Sequence, residues 1–171
     1  HSRPSPHRGP SAARSCIFNG IISERIQSKT FATLQQGDVM MLAGTQSVFH
    51  LDEVDEAIEQ RFLDKDVDLT ATMWGAGELM TSAKPKELEQ SISEQFHEFS
   101  QGLPRFGLKQ ERRRIRLIVQ EPDIEVLAHY SQNEHSLPAV KVCFTLPAGS
   151  YATTVLRELV DYQDGTERVQ S

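Results

Sequence analysis

The densest chemical signal in the chain is a run of cations: Arg105, Lys109, Arg112, Arg113, Arg114 and Arg116 stand against one carboxylate, Glu111. Arginine can grip anionic oxygens through two parallel N–H donors, so the run reads as a phosphate-contact stretch of the kind used on RNA. Taken as a helix, it places Lys109, Arg112 and Arg116 on one face at spacings of three and four. The competing reading is a soluble helix whose arginines pair with the acidic segment Asp52–Asp64. A second candidate is Gly149-Ser150-Tyr151. Val140, Val142 and Phe144 alternate with Lys141, Cys143 and Thr145 as in a half-buried strand, and Pro147 and Gly149 then turn the chain. Ala152, Val155, Leu156, Leu159 and Val160 follow at helical spacing. Ser150 is placed to cap that helix, and Tyr151 to sit in its first turn beside free amides and the positive dipole end, where phosphates are well received.

Other groups that could do chemistry are better explained by folding. Asp52, Glu53, Asp55, Glu56 and Glu59 are dense enough for a metal or acid–base reading, yet a helix welcomes carboxylates in its first turn. Trp74-Gly75-Ala76-Gly77 has neither the third glycine of a dinucleotide loop nor the lysine of a P-loop, and is read as a turn needing positive φ. Trp74 could stack on a base, but packing against the core is the expected role. His97, His129 and His135 have no partners at ligand or hydrolase spacing, and A-G-S-Y-A is not a nucleophile elbow. Cys16 and Cys143 stand apart from one another and from any C-x-x-C pattern, and are expected to be buried thiols in a reducing, cytoplasmic setting.

A net charge of −6 excludes a surface that is basic throughout, though not a local basic patch. No apolar run approaches the roughly 20 residues that cross a bilayer, and the polar N-terminus lacks the apolar stretch of a signal peptide.

The elements that must position these groups read as a mixture of helices and strands. His1 to Pro10, with three prolines and no apolar period, is expected to be a disordered or non-native tail. Ser11 to Ser28 reads as a core helix capped by Ser11, with Ala13, Ile17 and Ile21 in one row and Phe18, Ile22 and Ile26 in the next. Gly20 should weaken it by about 1 kcal/mol, and Asn19 and Arg25 belong to its outer face. Strands are expected at Asp38–Leu42 and Gln46–Phe49 around an Ala43-Gly44-Thr45 hairpin, and at Val67–Met73, Ile115–Val119, Ile124–Tyr130 and Val140–Thr145. Helices are expected at Asp52–Asp64, with Val54, Ala57, Ile58 and Phe62 inward, and at Lys84–Phe99, with Leu88, Ile92, Phe96 and Phe99 in one stripe.

Two strings carry a family resemblance. Leu146 to Leu159 (LPAGSYATTVLREL) closely resembles a segment near the C-terminus of the TruD family of tRNA pseudouridine synthases. Ser11-Ala12-Ala13-Arg14-Ser15-Cys16-Ile17-Phe18-Asn19 resembles that family's S-A-x-x-S-x-x-F-N helix. Weaker likenesses at Gly37-Asp38-Val39, Leu42-Ala43-Gly44, Gly107-Leu108, Arg112-Arg113 and Arg116-Leu117 keep the family's order from Ser11 to Asp161.

The resemblance implies an α+β chain: a family-specific insertion domain over 11–118, then an incomplete C-terminal part of the pseudouridine-synthase catalytic domain over 119–171. It implies isomerisation of a uridine in the D arm of tRNA (uridine-13 type), with no metal and no cofactor. The catalytic carboxylate of the family lies in a G-Q-K-D-like motif that no stretch here matches, so the chain should be inactive alone and its partners should be tRNA and a complementary N-terminal catalytic segment. Gly149, Ser150 and Tyr151 would form an active-site wall, with Tyr151 where the family has phenylalanine. Lys109, Arg112, Arg113 and Arg116 would meet RNA phosphates. The alternative is a non-catalytic RNA-binding or scaffold remnant. In either case the strands beyond Val119 would leave an unpaired sheet edge, so that poor solubility or a dimer is expected.

Overall fold

The first helix, α1, runs over Arg8–Gln27 in the computed structural model, which describes residues 8–132 and 135–146. It begins three residues before the expected Ser11, because Gly9 and Pro10 enter the first turn, where proline has no helical hydrogen bond to lose. Ser11 therefore lies inside the helix and does not cap it. Ala13, Ile17, Phe18 and Ile21 are buried, but Ile26 is exposed. Arg25, expected outside, is buried: it continues the row Ala13–Ile17–Ile21 at the same four-residue step.

Four short strands follow the helical pattern's end. β1 (Val39–Leu42) and β2 (Val48–His50) form the expected hairpin, with Gly44 at φ 69° in its turn. β3 covers Val67–Met73 as expected, and β4 covers Glu111–Arg114. The sheet order is β2-β1-β3-β4, antiparallel throughout, with Met40 opposite Leu69 and Thr72 opposite Arg112. β3 is buried on both faces: Val67, Leu69 and Ala71 point into the apolar core, whereas Asp68, Thr70 and Thr72 alternate onto the other face and are equally enclosed.

Helix α2 (Glu56–Leu63) starts four residues after Asp52, because Asp55 caps it, its Oδ1 accepting from Ile58 N at 2.8 Å. Only Glu56 and Glu59 of the acidic group then occupy the first turn, and Ile58 and Phe62 face inward while Ala57 is exposed. The expected helix over Lys84–Phe99 is two helices, α3 (Ala83–Gln95) and α4 (His97–Gly102), broken at Phe96 with φ −107° and ψ 38°. A 3-10 turn over Leu103–Phe106 ends at Gly107.

Ile17, Ile21, Met40, Leu69, Phe62, Ile92, Leu103 and Ile115 gather in one core, each buried aliphatic or aromatic side chain contributing about 1.5–3 kcal/mol. Gly20 is a packing device more than a weak point. A Cβ there would lie 2.9 Å from Ile92 Cγ2 and 3.2 Å from Phe96 Cε2, so α1 and α3 approach closely only because position 20 is bare. Trp74 packs against this core, in line with the packing role expected of it.

The chain divides into two units, His1–Arg116 and Leu117–Ser171. In the second, β5 (Gln120–Gln132) pairs antiparallel with β6 (His135–Thr145). The expected strand at Ile115–Val119 does not form. Gln120-Glu121-Pro122, expected as a connection, instead opens β5 through an irregular register between Gln120 and Asp123, with Glu121 at φ 49°. Ile124 lies opposite Val142 and Val126 opposite Val140, and Ile124, Val126 and Val140 are exposed. Cys16 and Cys143 are exposed free thiols, contrary to the burial expected of them.

Candidate nucleic-acid interface

The basic run is not a helix. It leaves the turn at Gly107 and enters β4, so its side chains alternate with a period of two and the grouping of Lys109, Arg112 and Arg116 on one face does not arise. Arg112 and Arg114 lie opposite Thr72 and Thr70, on the polar face of β3, and Arg113 lies opposite Ala71 on the other.

Arg112 is locked into the fold. Its Nη1 donates to Glu89 Oε1 and Oε2 at 2.8 and 3.0 Å, its Nε to Thr70 Oγ1 at 2.9 Å and its Nη2 to Thr70 O at 2.8 Å. Its side chain is 3% exposed. Burial pulls the guanidinium below its ordinary value, and the Glu89 carboxylate, followed by Asp38, opposes that pull. Glu89 also accepts from Thr72 N at 3.2 Å and from the Thr81 hydroxyl at 2.9 Å, so the carboxylate brought from α3 is fully hydrogen-bonded.

Arg114 donates to Leu42 O and Thr45 O at 2.6 and 2.8 Å, tying β4 across the sheet to the β1–β2 turn. Arg116 donates to Asp68 Oδ1 at 2.6 Å and lies 3.8 Å over the Phe62 ring, a cation–π contact. Three arginines at 112, 114 and 116 thus hold one face of the sheet. Arg112 and Arg116, expected to grip phosphate, are committed to Glu89 and Asp68. Lys109 and Arg113 remain exposed, as does Arg105 in the turn before them.

Other buried ions escaped the sequence reading. Arg25 pairs with Asp38, whose Oδ2 also accepts from Gln35 N at 2.9 Å. Burial raises the Asp38 carboxyl above its ordinary value, against the pull of Arg25. Arg14 donates to Met73 O and Lys109 O, both at 2.9 Å, and to Glu111 Oε2 at 3.2 Å, so α1 clasps the end of β3 to the start of β4. The only sequence signal for Arg25 was its place in the apolar row. Glu89 gave none, since a lone glutamate on an amphipathic helix reads as solvated. His50 links Asp52 Oδ1 (2.8 Å) to the Ser82 hydroxyl (2.9 Å), a contact between residues far apart in sequence that explains why Ser82 does not cap α3 with its side chain. The His50–Ser82 bond tethers β2 to the start of α3, and Asp52, 92% exposed, sits on its solvent side.

At the end of β3 lies an open cavity of about 570 Å³, bordered by Trp74, Glu78, Lys86, Gln90 and Gln110. Among the described residues no three His, Cys, Asp or Glu side chains gather as they would around a metal ion. Gly149, Ser150 and Tyr151 lie outside the described residues.

The model of the family described as tRNA pseudouridine synthase D (TruD) matches residues 11–159. A tRNA pseudouridine synthase D from Colwellia psychrerythraea is 64% identical over 160 residues, covering 93% of this chain and 44% of the relative. One from Pseudoalteromonas atlantica is 39% identical over 153 residues, covering 90% of this chain and 41% of the relative. A crystal structure from Methanosarcina mazei, described as TruD, superposes with a TM-score of 0.70 at 26% identity, over 85% of this chain and 36% of that one. The chain therefore spans less than half the length of these relatives.

Proposed function

The chain belongs to the TruD family of tRNA pseudouridine synthases, and on that footing we propose that it is the part of such an enzyme that holds tRNA without supplying the reactive carboxylate. The substrate would be a uridine of the D arm, at the uridine-13 position, and the setting the cytoplasm. Residues 11–118 would be the insertion domain and 119–171 the closing strands and helix of the catalytic domain. Gly149, Ser150 and Tyr151 would border the nucleotide's pocket. The aspartate would come from a complementary catalytic segment, and the chain by itself would not turn over.

The observation that carries the RNA-holding part is the division of labour within the basic run. Arg112, Arg114 and Arg116 are spent on the fold, while Lys109, Arg113 and Arg105 are left facing solvent close together in sequence. Phosphate contacts are therefore assigned to Lys109 and Arg113, with Arg105 beside them, and no longer to Arg112 or Arg116. The hairpin supports the second part of the reading. Its exposed pair Val126–Val140, with Ile124 next to it, is an apolar ladder of the sort that larger sheets cover.

The test is tRNA affinity at two salt concentrations for the wild type and the Lys109→Ala/Arg113→Ala variant. Each lost phosphate contact should make the negative slope of log affinity against log salt shallower by about 0.7–0.9, so the double variant's slope should be shallower by roughly 1.4–1.8. An unchanged slope would remove this surface from the interface.

A further inference from the structure

Resting on that RNA reading, we propose that the cavity beyond β3 is a subsite for one unstacked nucleotide of an RNA single strand. Its wall is Trp74, the first residue past the strand. The indole Nε1 donates to Ser100 O at 3.1 Å, so the ring is fixed before any ligand arrives. The loop that shapes the cavity is held by Ala76 N donating to Leu108 O at 2.7 Å and Gln110 N donating to Ala76 O at 2.9 Å. Gly75 makes that approach possible: a Cβ there would fall 2.4 Å from the Lys109 carbonyl.

The polar lining has the makings of nucleotide recognition. Lys86 and Gln90, four residues apart on α3, share a face and border the cavity. Lys86 forms no ion pair among the described residues, which leaves its ammonium for a phosphate. Gln110 accepts from the Thr72 hydroxyl through Oε1, so its amino group is left to donate to a base carbonyl. Glu78 supplies an acceptor for a base N–H or a ribose hydroxyl. A carboxylate beside a single lysine disfavours a polyphosphate or a bare anion. It suits a ligand that carries one negative charge together with donors, acceptors and a flat ring. The volume, about 570 Å³, is in the range of small-ligand sites. Exposed Lys109 adjoins the same loop and could meet a neighbouring phosphate.

The chain has one tryptophan, so its emission reports on the proposed subsite directly. The chain is titrated with single-stranded oligouridylate, with the matching RNA duplex and with uridine monophosphate; anisotropy of a labelled strand follows binding in parallel. The expected result is saturable quenching of Trp74 by the single strand, with the same midpoint as the anisotropy. Lys86→Ala/Gln90→Ala, which keeps helix-forming residues on α3, should weaken both signals about ten- to a hundred-fold. Binding seen by anisotropy with Trp74 emission unchanged, or with the double variant as tight as wild type, overturns the subsite and leaves the RNA reading intact. Equal quenching by the duplex, or tighter binding of uridine monophosphate than of the strand, also overturns it. No anisotropy change with any RNA overturns both.

Discussion

Replacing Arg112 with alanine should weaken the fold and leave the grip on RNA unchanged. The side chain gives up four hydrogen bonds, two to Glu89 and two to Thr70. What remains is a Glu89 side chain only 4% exposed, held by Thr72 N and the Thr81 hydroxyl without its countercharge. Removing one partner of a buried pair typically costs about 3–5 kcal/mol, since the other charge is left uncompensated. For a domain of this size that is a fall in melting temperature of roughly 10–20 °C. Arg113→Ala, one position along the same strand but exposed, should stay within about 0.5 kcal/mol of wild type. Urea unfolding followed by circular dichroism measures both. Adding Glu89→Gln to Arg112→Ala should recover part of the loss, because the carboxamide oxygen still accepts from Thr72 N, its amino group can donate to the Thr81 hydroxyl oxygen, and the stranded charge is gone. An Arg112→Ala chain as stable as wild type, but with weaker and less salt-sensitive tRNA binding, would instead place Arg112 on the phosphate surface.

Gly20→Ala gains about 1 kcal/mol of helix propensity but drives a methyl against Ile92 and Phe96, where overpacking costs about 1–3 kcal/mol. A net destabilisation of roughly 1 kcal/mol is expected in denaturant titration, and a stabilised variant would show that α1 and α3 are not closely packed. Asp38, with its carboxyl raised by burial, holds its proton more tightly folded than unfolded. Its contribution is complete below the ordinary value of 3.8 and is lost as pH rises through the raised one. Wild type should therefore lose stability relative to Asp38→Asn as pH climbs out of the acid range, and a difference that stays constant with pH contradicts this. The exposed ladder at Val126 and Val140 should drive self-association of the isolated chain. Val126→Lys should shift light scattering toward monomer, whereas a clean wild-type monomer would count against an uncovered hairpin face.

The parts of this fold legible in the sequence were those with an unbroken period. Val67–Met73 is legible to the residue, because alternation and flanking turns agree, and α1 is legible to within a few positions from its apolar rows. The basic run misled because periods of 2 and 3.6 both bring charges together within six residues, and nothing local distinguishes them. Only the pairing of β4 with β3 decides the matter. Its consequence for function was equally hidden. Whether an arginine faces RNA or a buried glutamate depends on Glu89, which arrives from a helix 23 residues away. The split of the long helix at Phe96 and the entry of Glu121 into β5 are backbone events with no compositional signal. The resemblance of the two terminal strings, by contrast, identified the family directly, and the match over residues 11–159 contains both.

Tritium release from tRNA labelled at uridine C5 is the decisive assay, with the isolated chain under conditions where its tRNA binding is saturated. Binding with no release above background is expected, because the proposed reading places the carboxylate that starts the isomerisation on another segment. Sustained release by this chain alone would contradict it.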